Sequence, residues 1–189
     1  MVKIQIILGS TRPNRFSEKP GKWIFELLQK REGIEAELID LRDYPLPFFN
    51  EPMSPTMLKG KYSNKEAERW VEKVAEADGY IIVTPEYNHG YSAVLKNALD
   101  YPYEQWNNKP VGFVAYGGMG GARAVEQLRE VVVELQMVPI RTAVHIPAFW
   151  TLLDDKGNLK TETLNESAEA MLDHLIRWTK VLKEAREKL

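Results

Sequence analysis

Along this chain, apolar residues switch repeatedly between two spacings. "KIQIIL" (3–8) is a largely apolar run of strand length, and residues 17–31 then set Trp23, Ile24, Leu27 and Leu28 on one helical face. Ser17 is the expected cap of that helix, with Pro20 tolerated in its first turn. "EAELIDL" (35–41) predicts a second strand. Four prolines in "RDYPLPFFNEPMSPTMLKGKY" then mark an irregular connection whose length suits a functional loop or an interface. Ser63 followed by Glu66 reads as a capping box opening a helix with Trp70, Val71, Val74 and Ala77 on one side. "GYIIVTP" (79–85) is apolar on both faces, as a central parallel strand should be. A helix over about 91–101, a strand "KPVGFVAYG" (109–117), a helix "ARAVEQLREVVVELQM" (122–137) and a strand "IRTAVHIP" (140–147) follow. The last helix, over about 165–187, carries Ala168, Met171, Leu172, Leu175, Ile176 and Leu182 at helical spacing.

Five strands interleaved with five helices specify an α/β fold: a parallel sheet covered on both faces and joined by right-handed crossovers. One switch point in a five-stranded sheet suggests the flavodoxin-like order 2-1-3-4-5, a three-layer sandwich. The chain of 189 residues reads as one domain, 1–189, without repeat or linker. A net charge of −2 offers no bulk field for nucleic acid or an anionic membrane, so an anion site must be local. The absence of cysteine removes disulfides, iron–sulfur clusters and thiolate zinc sites. No apolar run approaches the ~20 residues of a membrane span. "MVKIQII" lacks the features of a signal peptide, and the expected compartment is the cytoplasm.

In such sheets ligands bind beyond the carboxyl ends of the strands, at the switch point. The loops there are "GSTRPNRFS", "PEYNHGYS" and, alongside, "YGGMGG". The first suits a phosphate: Ser10, Thr11 and Ser17 bring hydroxyls, Arg12 and Arg15 bring guanidiniums, and the next helix brings unpaired amides. A solvated loop with a helix cap is its plain alternative. Neither Walker A nor GxGxxG occurs, since "GMGGAR" puts Arg123 where the last glycine belongs. In the second loop, Glu86, Tyr87, Asn88 and His89 combine hydrogen-bonding and aromatic capacity, which a planar heterocycle could use and a phosphate would not. The plain alternative there is a turn whose Tyr and His pack locally. The glycines of "AYGGMGGARA" allow close backbone approach, or simply a flexible turn. Together the three loops describe a mononucleotide pocket, most simply for flavin mononucleotide (FMN).

"GSTRPNRFSEKP", "DLRDYPLPFFNE", "TPEYNHGYSAVLKNALDY" and "YGGMGGARA" resemble the NADPH-dependent FMN reductase family with its quinone- and azo-reducing members, over about residues 3–147. The resemblance implies bound FMN and hydride transfer from NADPH or NADH to a small-molecule acceptor such as a quinone, azo compound or flavin. It also implies a homodimer or homotetramer. By motif position, Ser10, Thr11, Arg12, Arg15, Phe16 and Ser17 would cradle the phosphate and ribityl chain. Pro85, Glu86, Tyr87 and Asn88 would border the isoalloxazine, with Tyr116, Gly117 and Gly118 on its other edge. One departure is the spacing of Ser10 and Ser17, seven apart where many relatives have the shorter Ser-x-Arg-x-x-Ser.

Because the cofactor carries the hydride chemistry, no indispensable catalytic side chain and no metal is expected. His89, His145 and His174 are too scattered for a metal site, and "GYSAV" ends in Val94 where a hydrolase elbow needs glycine. The alternatives are an electron carrier of the same fold and a non-catalytic FMN-binding module. A carrier usually relies on a strong charge field, which −2 does not give. A receiver-like domain would want acidic residues at the end of the first strand, where this chain has "ILGS". "YPYEQWNN" (101–108) packs three large aromatics near the expected flavin edge, a composition common both to interfaces and to helix-end packing.

Overall fold

The computed structural model describes residues 1–188. β1 (Val2–Leu8) delivers the chain into α1 (Glu18–Gln29), which returns it to β2 (Ile34–Asp40) on the outer side of β1. The proline-rich connection contains only a 3-10 turn at Leu41–Asp43 and a short helix, α2 (Pro55–Leu58). α3 (Lys65–Ala75) leads to β3 (Gly79–Pro85), which pairs on the other side of β1; α4 (Ala93–Asp100) leads to β4 (Pro110–Gly117), paired to β3. All pairings are parallel and the order is the expected 2-1-3-4-5. Every residue of β3 and β4 is buried, which is why their sequences are apolar without alternation.

Successive residues of the central strands feed two cores. Ile6 and Ile81 face Ile24 of α1 and Met171 and Leu172 of α6 (Asn165–Arg186). Ile7 and Ile82 face Trp70 of α3, Leu95 of α4 and Leu128 of α5 (Ala122–Glu134). The period-2 alternation of a strand thus divides one sheet between two helical layers.

Three details depart from the sequence expectation, and a fourth concerns the aromatics of 101–108, for which the sequence left two readings open. The fifth strand is in two pieces, β5 (Val138–Pro139) and β6 (Val144–Pro147), both parallel to β4. Between them Arg129 of α5 donates to the carbonyls of Ile140 (2.7 Å) and Arg141 (2.8 Å), satisfying these groups off the ladder. α3 is capped by Asn64, whose Oδ1 accepts from Glu66 N–H at 2.8 Å, because Ser63 is turned to Glu51 (Oγ to carboxylate 2.8 Å). Ser17 precedes α1 in helical conformation and forms no side-chain cap. Finally, Tyr101 and Trp106 are core residues: Trp106 donates to the Leu99 carbonyl at 3.2 Å, and Tyr101 to Pro47 at 3.0 Å. Of the three aromatics in 101–108 only Tyr103 is half-buried, and Tyr101 and Trp106 serve helix-end packing.

Candidate active site

The chain leaves β1 toward β2 and leaves β3 toward β4, in opposite directions, so the loops after β1 and β3 part and open a crevice. Gly9 starts the first loop against β3: its N–H donates to Val83 O at 2.8 Å, and a Cβ would stand 3.0 Å from that oxygen. Ser92, at the head of α4, donates to the Gly9 carbonyl. The loop then turns at Pro13 and Asn14, the latter with φ +54.

Arg15 is not a free cation. Its buried guanidinium donates to the Ser10 carbonyl, to both oxygens of Asp40 (Nη1 to Oδ1 2.7 Å) and to Glu18 at 3.2 Å. Burial alone would raise the Asp40 carboxyl, but Arg15 and Arg42 hold it far below the usual carboxylate range. Arg15 therefore ties the loop to the end of β2, and it also lines the cavity that the three loops enclose. Arg12 is the contrary case. It is exposed, lies 5.6 Å from the Tyr87 ring centroid and makes no ion pair among the described residues.

At the head of α1, Ser17 Oγ and Tyr116 Oη are buried near one another, and among the described residues neither forms a hydrogen bond of good geometry. The N–H groups of Thr11, Arg12 and Phe16 likewise donate to no acceptor among the described residues, and that of Ser17 faces the Tyr116 hydroxyl. Burial pushes the Tyr116 phenol up to about 12 against the opposing effect of Ser17 and Ser10, so it keeps its proton at neutral pH. Buried polar groups are nearly always paired, and such a cluster of donors calls for an acceptor that the chain does not supply. Ser10 Oγ is 2.9 Å from the Tyr87 hydroxyl, joining the first loop to the second.

Residues 86–90 form a tight turn in which Tyr87 and Gly90 exchange backbone hydrogen bonds of 2.8 and 3.1 Å. Asn88 (φ +49) and His89 (φ +76) both adopt the left-handed conformation, as a two-residue hairpin turn of the primed type demands. α5 grips this turn twice, one helical turn apart. Arg123 donates to the Glu86 carboxylate from its backbone (3.2 Å) and from Nε (2.6 Å), and Gln127 donates to the His89 carbonyl at 2.9 Å. Burial works to raise the Glu86 carboxyl, but Arg123 holds it below its ordinary value. The Glu86 side chain is thus a brace, while the N–H groups of Asn88 and His89 donate to no acceptor among the described residues.

The three loops enclose a cavity of about 330 Å³. Arg12, Arg15 and Phe16 line it from the first loop, Pro85, Glu86 and Tyr87 from the second, and Tyr116, Gly117 and Gly118 from the third. Ser10 and Ser17 lie buried among the same loops, whereas Thr11 and Asn88 are exposed and do not line the cavity. The lining also includes three residues that the loop motifs did not reveal: Asn14, Phe149 and Trp150. Phe149 packs at 4.5 Å on Phe16 and 5.4 Å on Tyr116, which are themselves 4.9 Å apart, giving one side an aromatic wall. The available signal was the aromatic pair in "PAFW", directly after a strand beside β4. A larger hollow of about 490 Å³ runs along α1, lined by Lys19, Lys22 and Trp23, but it draws on no strand end.

The model of the NADPH-dependent FMN reductases matches residues 2–151, the stretch that carries all three loops and Trp150. The chain belongs to that family. It is 37% identical over 185 residues to an NAD(P)H-dependent FMN reductase of Schizosaccharomyces pombe, covering 98% of this chain and 86% of that protein. An NADPH:quinone oxidoreductase of Arabidopsis thaliana is 30% identical, over 95% of this chain and 92% of its own length. Among solved structures, the flavoenzyme FerB of Paracoccus denitrificans superposes with a TM-score of 0.75 at 23% identity, covering 95% of this chain and 98% of that one. The likeness to FerB supports the fold.

This FMN reductase is an oxidoreductase that uses FMN and NAD(P)H. Its site fits FMN on its own chemistry: unpartnered hydroxyls and amides suit a phosphate, and an apolar aromatic wall suits a flat ring. Gly118 has no atom within 4 Å of where a Cβ would stand, which leaves the third loop open to close approach. Among the described residues no group of three or more His, Cys, Asp or Glu side chains could hold a metal, and no helix is long and apolar enough to cross a membrane.

Proposed function

We propose that this chain, a single FMN-binding domain, passes two electrons from NAD(P)H through FMN to a small planar acceptor of the quinone class. The observation that carries the reading is the meeting of two opposite environments in one 330 Å³ cavity. Unsatisfied donors gather at the head of α1, and aromatic rings gather beside them.

Ser17, Tyr116 and the N–H groups of Phe16 and Ser17 would donate to the phosphate, with Ser10 and Thr11 as further hydroxyls. Arg12 supplies the mobile positive charge, and Arg15 holds the loop in shape. Tyr87, Pro85 and the free amides of the Asn88–His89 turn would face the polar edge of the ring, with Gly117 and Gly118 opposite. Bound FMN supplies the capacity to accept a hydride and return two electrons. The protein orients donor and acceptor in turn and offers backbone donors where negative charge develops. In the net reaction NAD(P)H gives a hydride, solvent gives a proton, and a quinone leaves as the hydroquinone.

A homodimer in the cytoplasm completes the proposal. Phe48, Met53 and Met57 are exposed on the proline-rich connection, beside a hollow of about 340 Å³ lined by Phe49, Pro55, Tyr103 and Leu135. Such an apolar surface is the kind a subunit contact covers. Sedimentation that shows only monomer at micromolar concentration would remove this part.

The deciding experiment is FMN titration of the flavin-free protein, followed by steady-state oxidation of NADPH and NADH with a quinone. Arg12→Ala should weaken FMN retention about tenfold while leaving the melting temperature within a few degrees. A protein that binds FMN but oxidises neither nicotinamide is a carrier or a binding module.

A further inference from the structure

Trp150 is the one large aromatic of the cavity that the fold leaves exposed, Tyr87 and Phe149 being half-buried. Its relative exposure is 59%, whereas Phe16 and Tyr116 in the same lining stand at 6% and 5%. The other exposed tryptophan, Trp178, sits on the regular helix α6 and lines no part of this cavity.

The segment that carries Trp150 is held rather than loose. Ala148 adopts φ +42, a left-handed conformation that a residue with a Cβ rarely takes. It is fixed there by its N–H donating to Gly117 O at 3.0 Å, which ties the segment to the third loop of the site. Thr151 closes the following turn on the Ala148 carbonyl, from its N–H (2.8 Å) and its hydroxyl (2.9 Å). Farther on, the Leu152 carbonyl accepts from Lys160 at 2.8 Å, and Leu153 bridges Leu159 across a small hairpin. The Trp150 ring meets Phe149 at 5.3 Å and an interplanar angle of 72°, an edge contact that leaves most of its surface exposed. Local strain maintained by several hydrogen bonds is typical of positions selected for what they present.

We propose that Trp150 is the platform on which a planar aromatic electron acceptor stacks at the mouth of the cavity, and so a specificity-determining residue. The inference rests on the oxidoreductase reading above and names what that site selects. A ring carried on a backbone that is already held leaves only its own side-chain torsions to be ordered when a ligand arrives, so stacking on it loses less of its gross energy. The platform favours quinones over acceptors that have no ring.

The test uses the FMN-loaded protein with 1,4-naphthoquinone and with ferricyanide, a ringless acceptor taking one electron at a time, two ions per NADPH. Trp150→Ala should lower the ratio of kcat/KM for the quinone to kcat/KM for ferricyanide about tenfold, mostly through the quinone KM. Trp150→Phe should restore at least half of that loss on a logarithmic scale. Tryptophan emission of the flavin-free protein should be quenched by naphthoquinone, and Trp150→Phe should remove that saturable part. An equal fall with both acceptors overturns the proposal, as does a rise in KM confined to NADPH. Release of FMN by Trp150→Ala also overturns it, by making Trp150 a flavin contact, and a change in sedimentation does so by making it a subunit contact. These failures differ from failure of the oxidoreductase reading, in which the unaltered protein reduces neither acceptor.

Discussion

At the amino ends of the strands, Asp78 accepts from the Lys3 N–H at 3.0 Å, from Lys183 at 2.9 Å and from Arg186 at 3.2 Å. Lys3 in turn reaches Glu76, Glu37 and Glu35 at 2.7, 3.1 and 3.3 Å. At the carboxyl ends, Ser17 Oγ and Tyr116 Oη form no hydrogen bond of good geometry among the described residues, although both are buried. Among the described residues one further buried side-chain atom lacks a partner, Gln5 Oε1, and its own amide nitrogen is bonded to Glu37 and to the Lys73 carbonyl. The same sheet thus ends in a closed polar network on one side and an open one on the other. Polar groups satisfied by one another contribute to the fold, and polar groups left waiting are available to a ligand.

The largest expected effect falls within the open end and separates its two kinds of glycine. Gly121 heads α5 with φ +72, and a Cβ there would stand 2.5 Å from Ala115 Cβ and 2.8 Å from Tyr116 N. Gly121→Ala combines a left-handed penalty with overpacking and should cost about 3 kcal/mol or more of stability in a urea melt. Gly118→Ala meets nothing within 4 Å and should change stability by no more than about 0.5 kcal/mol. Its effect should appear instead in FMN affinity. Equal losses of stability from the two would mean that the third loop is built for the fold alone.

At the closed end, Lys109 is the group that strains the network. Burial lowers its ammonium from 10.5 to about 8, with Arg186 adding repulsion and Asp78 opposing it. Its Nζ still donates to the Ala75 carbonyl and to the Tyr80 hydroxyl, each at 3.2 Å. The unfolded chain therefore holds this proton more tightly than the folded one. The contribution of Lys109 should be least favourable below pH 8 and improve as pH climbs from about 8 to 10.5, by roughly 2–3 kcal/mol. Lys109→Met should flatten this rise in melts of the flavin-free protein. A slope that survives the substitution would assign the titration elsewhere.

Much of the open end was legible in the sequence, because strand–helix alternation fixes where loops gather and "PEYNHG" and "YGGMGG" stand out there. What was not legible depends on partners distant in the chain. Arg15 reads like Arg12 until Asp40, 25 residues later, arrives beside it. Glu86 reads as a ligand contact until α5 delivers Arg123 to it. Ser63 and Asn64 are both capping residues, and the choice between them is made by Glu51 drawing Ser63 away. Phe149 and Trp150 follow β6 in a short turn with no periodic pattern, so only the folded sheet brings them to the cavity.

Asp78→Asn tests the closed end more directly. It removes the charge from a mostly buried carboxylate that two cations and one backbone N–H share, and should cost about 2 kcal/mol. The Asp78 carboxyl is held below its ordinary value: burial would raise it, but the Lys3 N–H and Lys183 lower it further. This contribution is complete above the unfolded value of 3.8 and is lost as pH falls through the folded one. FMN affinity, read at the opposite end of the sheet, should stay within twofold.

Ser17→Ala should give the smallest change in stability, and one of opposite sign. The hydroxyl is fully buried, does not cap α1 and forms no hydrogen bond of good geometry among the described residues, meeting only the Tyr116 phenol, so the flavin-free protein carries most of its desolvation without compensation. Its removal should stabilise that protein by about 1 kcal/mol in a urea melt. A hydrogen bond to a charged acceptor contributes roughly 1.5–3 kcal/mol, so the same substitution should weaken FMN binding about tenfold or more. Asp78→Asn and Ser17→Ala then cross: the first lowers stability and spares the flavin, and the second raises stability and loses it. If Ser17→Ala destabilised the flavin-free protein, the hydroxyl would have a partner within the chain, and the contrast between the two ends of the sheet would fail at the residue that best expresses it.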